Sequence, residues 1–130
     1  MLFRRRKRPL SKDKKAQIMY SAARKLLKEK LYLDSGLKCT DLSKEICTNR
    51  TYVWETLRSL DLGFQDYVCR FRLAYFIEHA GEFRGLSSPE ISERCGFSDP
   101  RQLNRQLKQL LGVTIQEYMD WVVGPPPAAT

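Results

Sequence analysis

At 130 residues with 42% apolar, the chain has room for one domain, or two small subdomains, and a modest core. Gly and Pro are sparse between residues 37 and 111 and no stretch keeps up the alternation of a strand, so the class is all-α. The net charge of +8 suggests a polyanionic partner. However, residues 1–15 hold eight of the 23 basic groups and one of the 15 acids, so the body is close to neutral and local placement must carry any DNA argument. Cys39, Cys47, Cys69 and Cys95 form no C-x-x-C pair and His79 is the single histidine, which argues against a zinc site. The cysteines read as reduced, small core residues of a cytoplasmic protein. No Ser/His/Asp or Cys/His constellation, carboxylate dyad or Gly-rich phosphate loop is evident, so neither an enzyme, a cofactor nor a small-molecule site is expected.

Residues 1–11 read as a basic disordered arm carrying Arg4, Arg5, Arg6, Lys7 and Arg8. Such a run suits DNA phosphates, an anionic lipid surface or plain solvation, and a nuclear-import match is a weak pattern. It contains no apolar run long enough to span a membrane. Were the reading frame to begin upstream, it could flank a membrane segment on the cytoplasmic side.

Residues 13–30 form an amphipathic helix, with Ile18, Ala22 and Leu26 on the dry side and Lys14, Lys15, Lys25 and Lys28 on the wet side. Asp34-Ser35-Gly36 breaks the pattern. In residues 40–60, Thr40 or Asp41 caps a short helix with Leu42 and Ile46 inside. Thr48-Asn49 turns, and Asn49 caps a second helix with Val53, Leu57 and Leu60 inside and Arg50, Thr51, Trp54, Glu55 and Arg58 outside. Residues 64–83 read as one longer linker helix, apolar over more than one face and therefore packed on both sides.

Residues 88–111 repeat the helix-turn-helix logic. Ser87 and Glu90 have capping-box spacing, Ile91 and Cys95 give an apolar edge, Gly96 ends the helix and Phe97 fills the corner. Asp99 caps the next helix, with Pro100 at its first position. Leu103, Leu107 and Leu110 face inward, leaving Arg101, Asn104, Arg105 and Lys108 outside. Leu42, Ile46, Val53 and Leu57 match Ile91, Cys95, Leu103 and Leu107 in register, evidence for an internal duplication. A last helix over 114–123 starts at a Thr114/Glu117 capping box and carries Ile115, Tyr118, Trp121 and Val122; 124–130 is a loose tail. Two short helices whose second presents a basic polar face suit a DNA-reading helix-turn-helix, or else a solvated helical hairpin.

With these pieces assembled, residues 12–123 resemble the AraC/XylS-type DNA-binding domain of bacterial transcription regulators. The resemblance rests on Ile91, Gly96-Phe97, Asp99, Arg105, Lys108, Gly112, Thr114 and Tyr118 in the second unit. Leu42, Asn49, Tyr52-Val53, Gly63-Phe64, Asp66-Tyr67 and Arg70/Arg72 carry it in the first unit and linker. The KEKLYLD lead-in and the TNRTYV turn look like Bacteroidetes-type versions. Departures are Ser43 and Ser92 for alanine, Leu103 and Leu107 for phenylalanine, Ile115 for proline and Phe76 for alanine. Glu55 stands where the family often carries arginine. No sensory or effector domain is read.

The resemblance implies homeodomain-like units that read two successive major grooves of double-stranded DNA. Arg50, Thr51, Trp54, Glu55, Arg101, Asn104 and Arg105 would face bases. Asn49, Arg58, Lys108 and the arm would hold phosphates. Arg72 reads as a structural residue bridging helices rather than a phosphate contact. RNA polymerase or a partner regulator are further candidate partners, and a membrane is disfavoured. The alternative is a protein-interaction module of a regulatory complex, with weak or non-specific DNA binding.

Overall fold

Ser11 opens the fold: its hydroxyl accepts the Lys14 N–H at 3.1 Å and starts α1 (Lys12–Glu29). The structure, a computed structural model, describes residues 9–125, so Arg4, Arg5, Arg6, Lys7 and Arg8 and residues 126–130 lie outside the described residues. Ile18, Ala22 and Leu26 are buried along α1, and Lys30 in a left-handed conformation (φ 51°) ends it. A 3-10 turn, Leu31–Leu33, follows. Gly36 N–H then bonds Asp34 Oδ1 at 2.8 Å, tightening the Asp-Ser-Gly break.

The first helical pair is α2 (Cys39–Glu45) and α3 (Arg50–Arg58). The expected cap at Thr40 or Asp41 is displaced: α2 starts ahead of both, and Asp41 reaches back to the Lys38 N–H at 2.9 Å. Asn49 caps α3 as expected, accepting the Tyr52 N–H at 2.9 Å. Leu60 corrects the sequence reading. With α3 ended and Asp61 left-handed (φ 58°), the chain turns Leu60 out to 53% exposure and brings Leu62 against the core instead.

The linker is α4 (Phe64–His79), followed by a 3-10 turn, Ala80–Phe83, where the sequence pattern predicts one helix over 64–83. Gly81 is a poor helix former, and the tighter winding puts Ala80 and Phe83 into the core. As its composition demands, α4 serves two clusters. Tyr67 and Val68 join Ile18, Ala22, Leu26, Leu42, Val53 and Leu57. Cys69, Leu73 and Phe76 join Ile91, Phe97, Leu103, Leu107, Ile115 and Tyr118, and Tyr75 touches both groups.

The second pair is α5 (Ser88–Arg94) and α6 (Pro100–Leu111), with Asp99 Oδ1 accepting the Gln102 N–H at 3.2 Å. Leu110 also corrects the reading: α6 outruns its cluster, leaving Leu110 58% and Leu111 49% exposed. After α7 (Ile115–Tyr118), the chain widens into a π turn, Met119–Val123, closed by Gly124 N–H on Met119 O at 2.8 Å. The wider turn changes the register, so Met119 is buried while Trp121 and Val122 stand 71% and 64% exposed.

The duplication extends into the turns. Thr48 N–H bonds Ser43 O at 2.9 Å, and Phe97 N–H bonds Ser92 O at 3.0 Å. The residue before each is left-handed: Cys47 (φ 59°) in one unit, Gly96 (φ +89°) in the other. Cys47 is therefore an exposed turn residue, not the core residue expected from its type. Gly96 is needed for a second reason. A Cβ there would stand 2.3 Å from Tyr32 O and 2.8 Å from Leu33 Cα, so the turn of the second unit lies directly on the 3-10 turn of the first.

Candidate nucleic-acid interface

Each pair buries one stripe of its second helix and leaves the opposite stripe wet. On α6, Leu103 and Leu107 are fully buried, while Arg101, Arg105 and Lys108 are exposed. The Arg101 side chain is 91% exposed, and Asp99 Oδ2 approaches it at 3.8 Å, a loose surface contact. Lys108 Nζ reaches back to Gly112 O at 3.4 Å, close to the end of the helix. The outer face of α6 therefore offers two exposed guanidiniums and an ammonium to an anionic partner.

On α3, Val53, Thr56 and Leu57 face the core, and Arg50, Thr51, Trp54 and Arg58 face out. The Arg58 guanidinium lies over the Trp54 ring, 4.9 Å from its centroid, which holds both side chains in place on the outer face. The Trp54 ring is half exposed and presents an apolar edge. Asn49 uses its carboxamide oxygen to accept the Tyr52 N–H, and its NH₂ group is left to donate outward.

Two of the expected base-reading residues also bond within the chain. Asn104 is half-buried, and its Oδ1 accepts the Ile115 N–H at 2.8 Å, tying α6 to the start of α7. Asn104 thus caps the start of α7 with one lone pair of its carboxamide oxygen. Glu55 is also half-buried, and its Oε2 accepts the Leu10 N–H at 2.9 Å. Its carboxylate is therefore held by the chain just ahead of α1. Sequence reasoning missed Leu10, because a contact across 45 positions leaves no local pattern.

The first unit is tied to the linker by Arg72, which is 1% exposed. Its Nε donates to Tyr32 O at 2.6 Å and its second terminal nitrogen to Asp34 O at 2.9 Å. This is the bridging role that its place in the sequence suggests. His79 stacks on Tyr75 at 4.1 Å between centroids and meets Glu82 at 2.8 Å, an ordinary helix-end residue. Burial pushes the Tyr67 hydroxyl and the Cys95 thiol up to about 12, both inside the core and away from the outer faces. Among the described residues no group of His, Cys, Asp and Glu could hold a metal ion, and no helix is long and apolar enough to cross a membrane.

No protein-family model and no curated protein matches the chain. Two solved structures do match in shape. One is the C-terminal domain of the two-component response regulator yesN from Fusobacterium nucleatum, 24% identical, with a TM-score of 0.54 over 82% of this chain and 97% of that one. The other is the C-terminal domain of AraT, a response regulator from Geobacillus stearothermophilus, 20% identical, with a TM-score of 0.53 over 84% of each chain. The chain therefore shares the all-helical fold of these response-regulator C-terminal domains.

Proposed function

We infer that the protein is an AraC/XylS-type transcription regulator that binds double-stranded DNA with α3 and α6 in two successive major grooves. The observation that carries this is the outer face of α6: Arg101 and Arg105 stand exposed one turn apart over a fully buried Leu103/Leu107 seam, on a helix capped by Asp99. A helix fixed from behind with exposed guanidiniums in front is what reading guanine O6/N7 requires, each good pair giving about 1–3 kcal/mol of discrimination. Trp54 would press on a thymine methyl beside Thr51 and Arg50. Arg58, Lys108 and the Asn49 NH₂ would hold phosphates and set the register.

The two units differ in sequence, so one chain would read an asymmetric site of two boxes about 34 Å apart on one DNA face. The linker α4, clamped through Arg72, would keep that spacing. Such a regulator works on the chromosome, in the cytoplasm. A second reading, a surface for a partner regulator or RNA polymerase, draws on the half-exposed Trp54 and the exposed Leu60 near it in sequence.

Selection of bound duplexes from a random library, followed by titration of the winners across a salt series, tests the proposal. A two-box consensus bound far better than random duplex, with selectivity lost in Arg105→Ala, supports it. Affinity without sequence preference, unaffected by Arg105→Ala, overturns it in favour of the docking reading.

A further inference from the structure

We propose that the outer face of the linker helix α4 is a dimer surface, on which a second copy of this chain packs antiparallel across Ala74. Arg70 of each copy then pairs with Glu78 of the other.

Between α4 and α6 lies an open groove of about 450 Å³ with an apolar floor of Leu73, Ala74, Ile77 and Leu110. Ile77 is 39% exposed and Leu110 58%, and the next residue, Leu111, is half-exposed. Gln106 and Gln109 edge the groove from α6, and Arg70 edges it from α4. The lining therefore holds one cation and no acid. Among the described residues the Arg70 guanidinium bonds no acceptor. An occupant should bring an apolar side chain and a carboxylate.

The exposed face of α4 supplies both. Arg70, Ala74, Ile77 and Glu78 all face outward, and 70, 74 and 78 follow one another at i, i+4 spacing as a single ridge. At 1.5 Å rise per residue, Arg70 lies about 6 Å before Ala74 and Glu78 about 6 Å after it. Let two such ridges run antiparallel about a two-fold axis at Ala74. Each Arg70 then comes level with Glu78 of the other copy, and the contact closes on itself. Ala74, the smallest side chain of the ridge, sits on the axis and lets the helices approach closely. Ile77 of each copy enters the groove of the other, against Leu73 and Leu110. A parallel pairing would instead set Arg70 on Arg70 and Glu78 on Glu78.

Glu78 is available for this. Its side chain is 76% exposed, and its carboxylate stands a loose 3.5 Å from His79 Nε2. The reading faces stay clear as well, since Leu110 is nine residues from Arg101 and so about half a turn round α6. The patch covers two turns of α4 and one flank of α6. That is below the roughly 1,200 Å² at which standard interfaces begin, so dimerisation should be half complete only near roughly 100 µM.

The test is analytical ultracentrifugation of the full chain without DNA, from about 5 to 500 µM, bracketing that midpoint. With DNA left out, the result does not depend on the DNA reading above. The variants are Arg70→Glu, Glu78→Arg, the two together, and Ala74→Arg, all at exposed positions, each with a thermal melt to show that the fold is intact. The parent should dimerise. Either single swap puts like charges opposite each other at both ends and should weaken the dimer at least about tenfold. The double swap restores opposite charges at both ends and should recover the parent's midpoint within about threefold. Ala74→Arg wedges the axis apart and should leave a monomer.

A parent chain that stays monomeric throughout overturns the inference, whatever other protein it captures. So does a dimer that Ala74→Arg or the single swaps leave unchanged, because another face then holds it. A double swap that melts like the parent yet fails to dimerise overturns the antiparallel pairing and the inference with it.

Discussion

Arg72 and Tyr32, 40 positions apart, meet in a 2.6 Å hydrogen bond between the guanidinium Nε and the backbone carbonyl. Gly96 closes on the same carbonyl from the second unit. Linker helix, first unit and second unit thus converge on one peptide group. The relative placement of α3 and α6 is set there as well as by the two cores.

Removing the guanidinium should therefore cost more than an ordinary surface arginine. Arg72→Met leaves the Tyr32 and Asp34 carbonyls without their donors, and charge-assisted bonds contribute about 1.5–3 kcal/mol each. The expected loss is about 3 kcal/mol, read as a lower urea midpoint with an unchanged slope. Arg72→Lys, with one compact ammonium, should recover only part of it. A loss below about 0.5 kcal/mol, the range of an ordinary surface substitution, would show that the clamp contributes nothing.

Gly96→Ala tests the same junction from the other side. The left-handed backbone costs an L-residue roughly 1–2 kcal/mol, and the added methyl meets backbone atoms that cannot swing away. A drop of at least about 2 kcal/mol is expected. Cys47 holds the equivalent turn position of the first unit and is exposed, so Cys47→Gly should be neutral or slightly stabilising by relieving the φ of 59°. Both are read by thermal melts.

The outer and inner roles on α6 should separate cleanly. Arg105→Ala is expected to leave the melting temperature unchanged and cost about 1–3 kcal/mol of binding to a selected duplex, relaxing preference at one base pair. Asn104→Ala removes the partner of the Ile115 N–H and should instead lower stability by about 1 kcal/mol. If Asn104→Ala kept full stability but lost preference for an adenine, the capping role would be wrong.

Thiol chemistry should sort the cysteines by burial. Cys47 is exposed and should react with a maleimide first, Cys39 more slowly, and Cys69 and Cys95 only on unfolding. Alkaline pH probes the buried pair Cys95 and Tyr67, whose ordinary values are 9.0 and 10.0 and whose folded values are about 12. Below the ordinary values both states hold the proton and the contribution to stability is intact. As pH climbs from 9.0 toward about 12, the unfolded chain releases protons that the folded chain keeps, so stability falls. Urea midpoints should drop across that window, and Cys95→Ala should make the decline shallower. A flat profile would contradict the burial of both groups.

What could be read from residue order was local. Capping pairs such as Ser87/Glu90 and Thr114/Glu117 lie within one turn of each other, and the leucine spacing of α6 follows from helical periodicity, so both are visible as pattern. The all-α class, the two helix-turn-helix pairs and the doubly packed linker followed from such patterns. The ends of helices did not. Leu60, Leu110 and Trp121 continue an apolar periodicity, but whether a core extends under the last turn depends on what packs there. Judged by their neighbours in sequence, Glu55 and Asn104 look like outward-facing polar side chains. The folded chain alone brings Leu10 and Ile115 to them, because their N–H groups, left without helical partners ahead of α1 and at the start of α7, must find acceptors from distant parts of the chain.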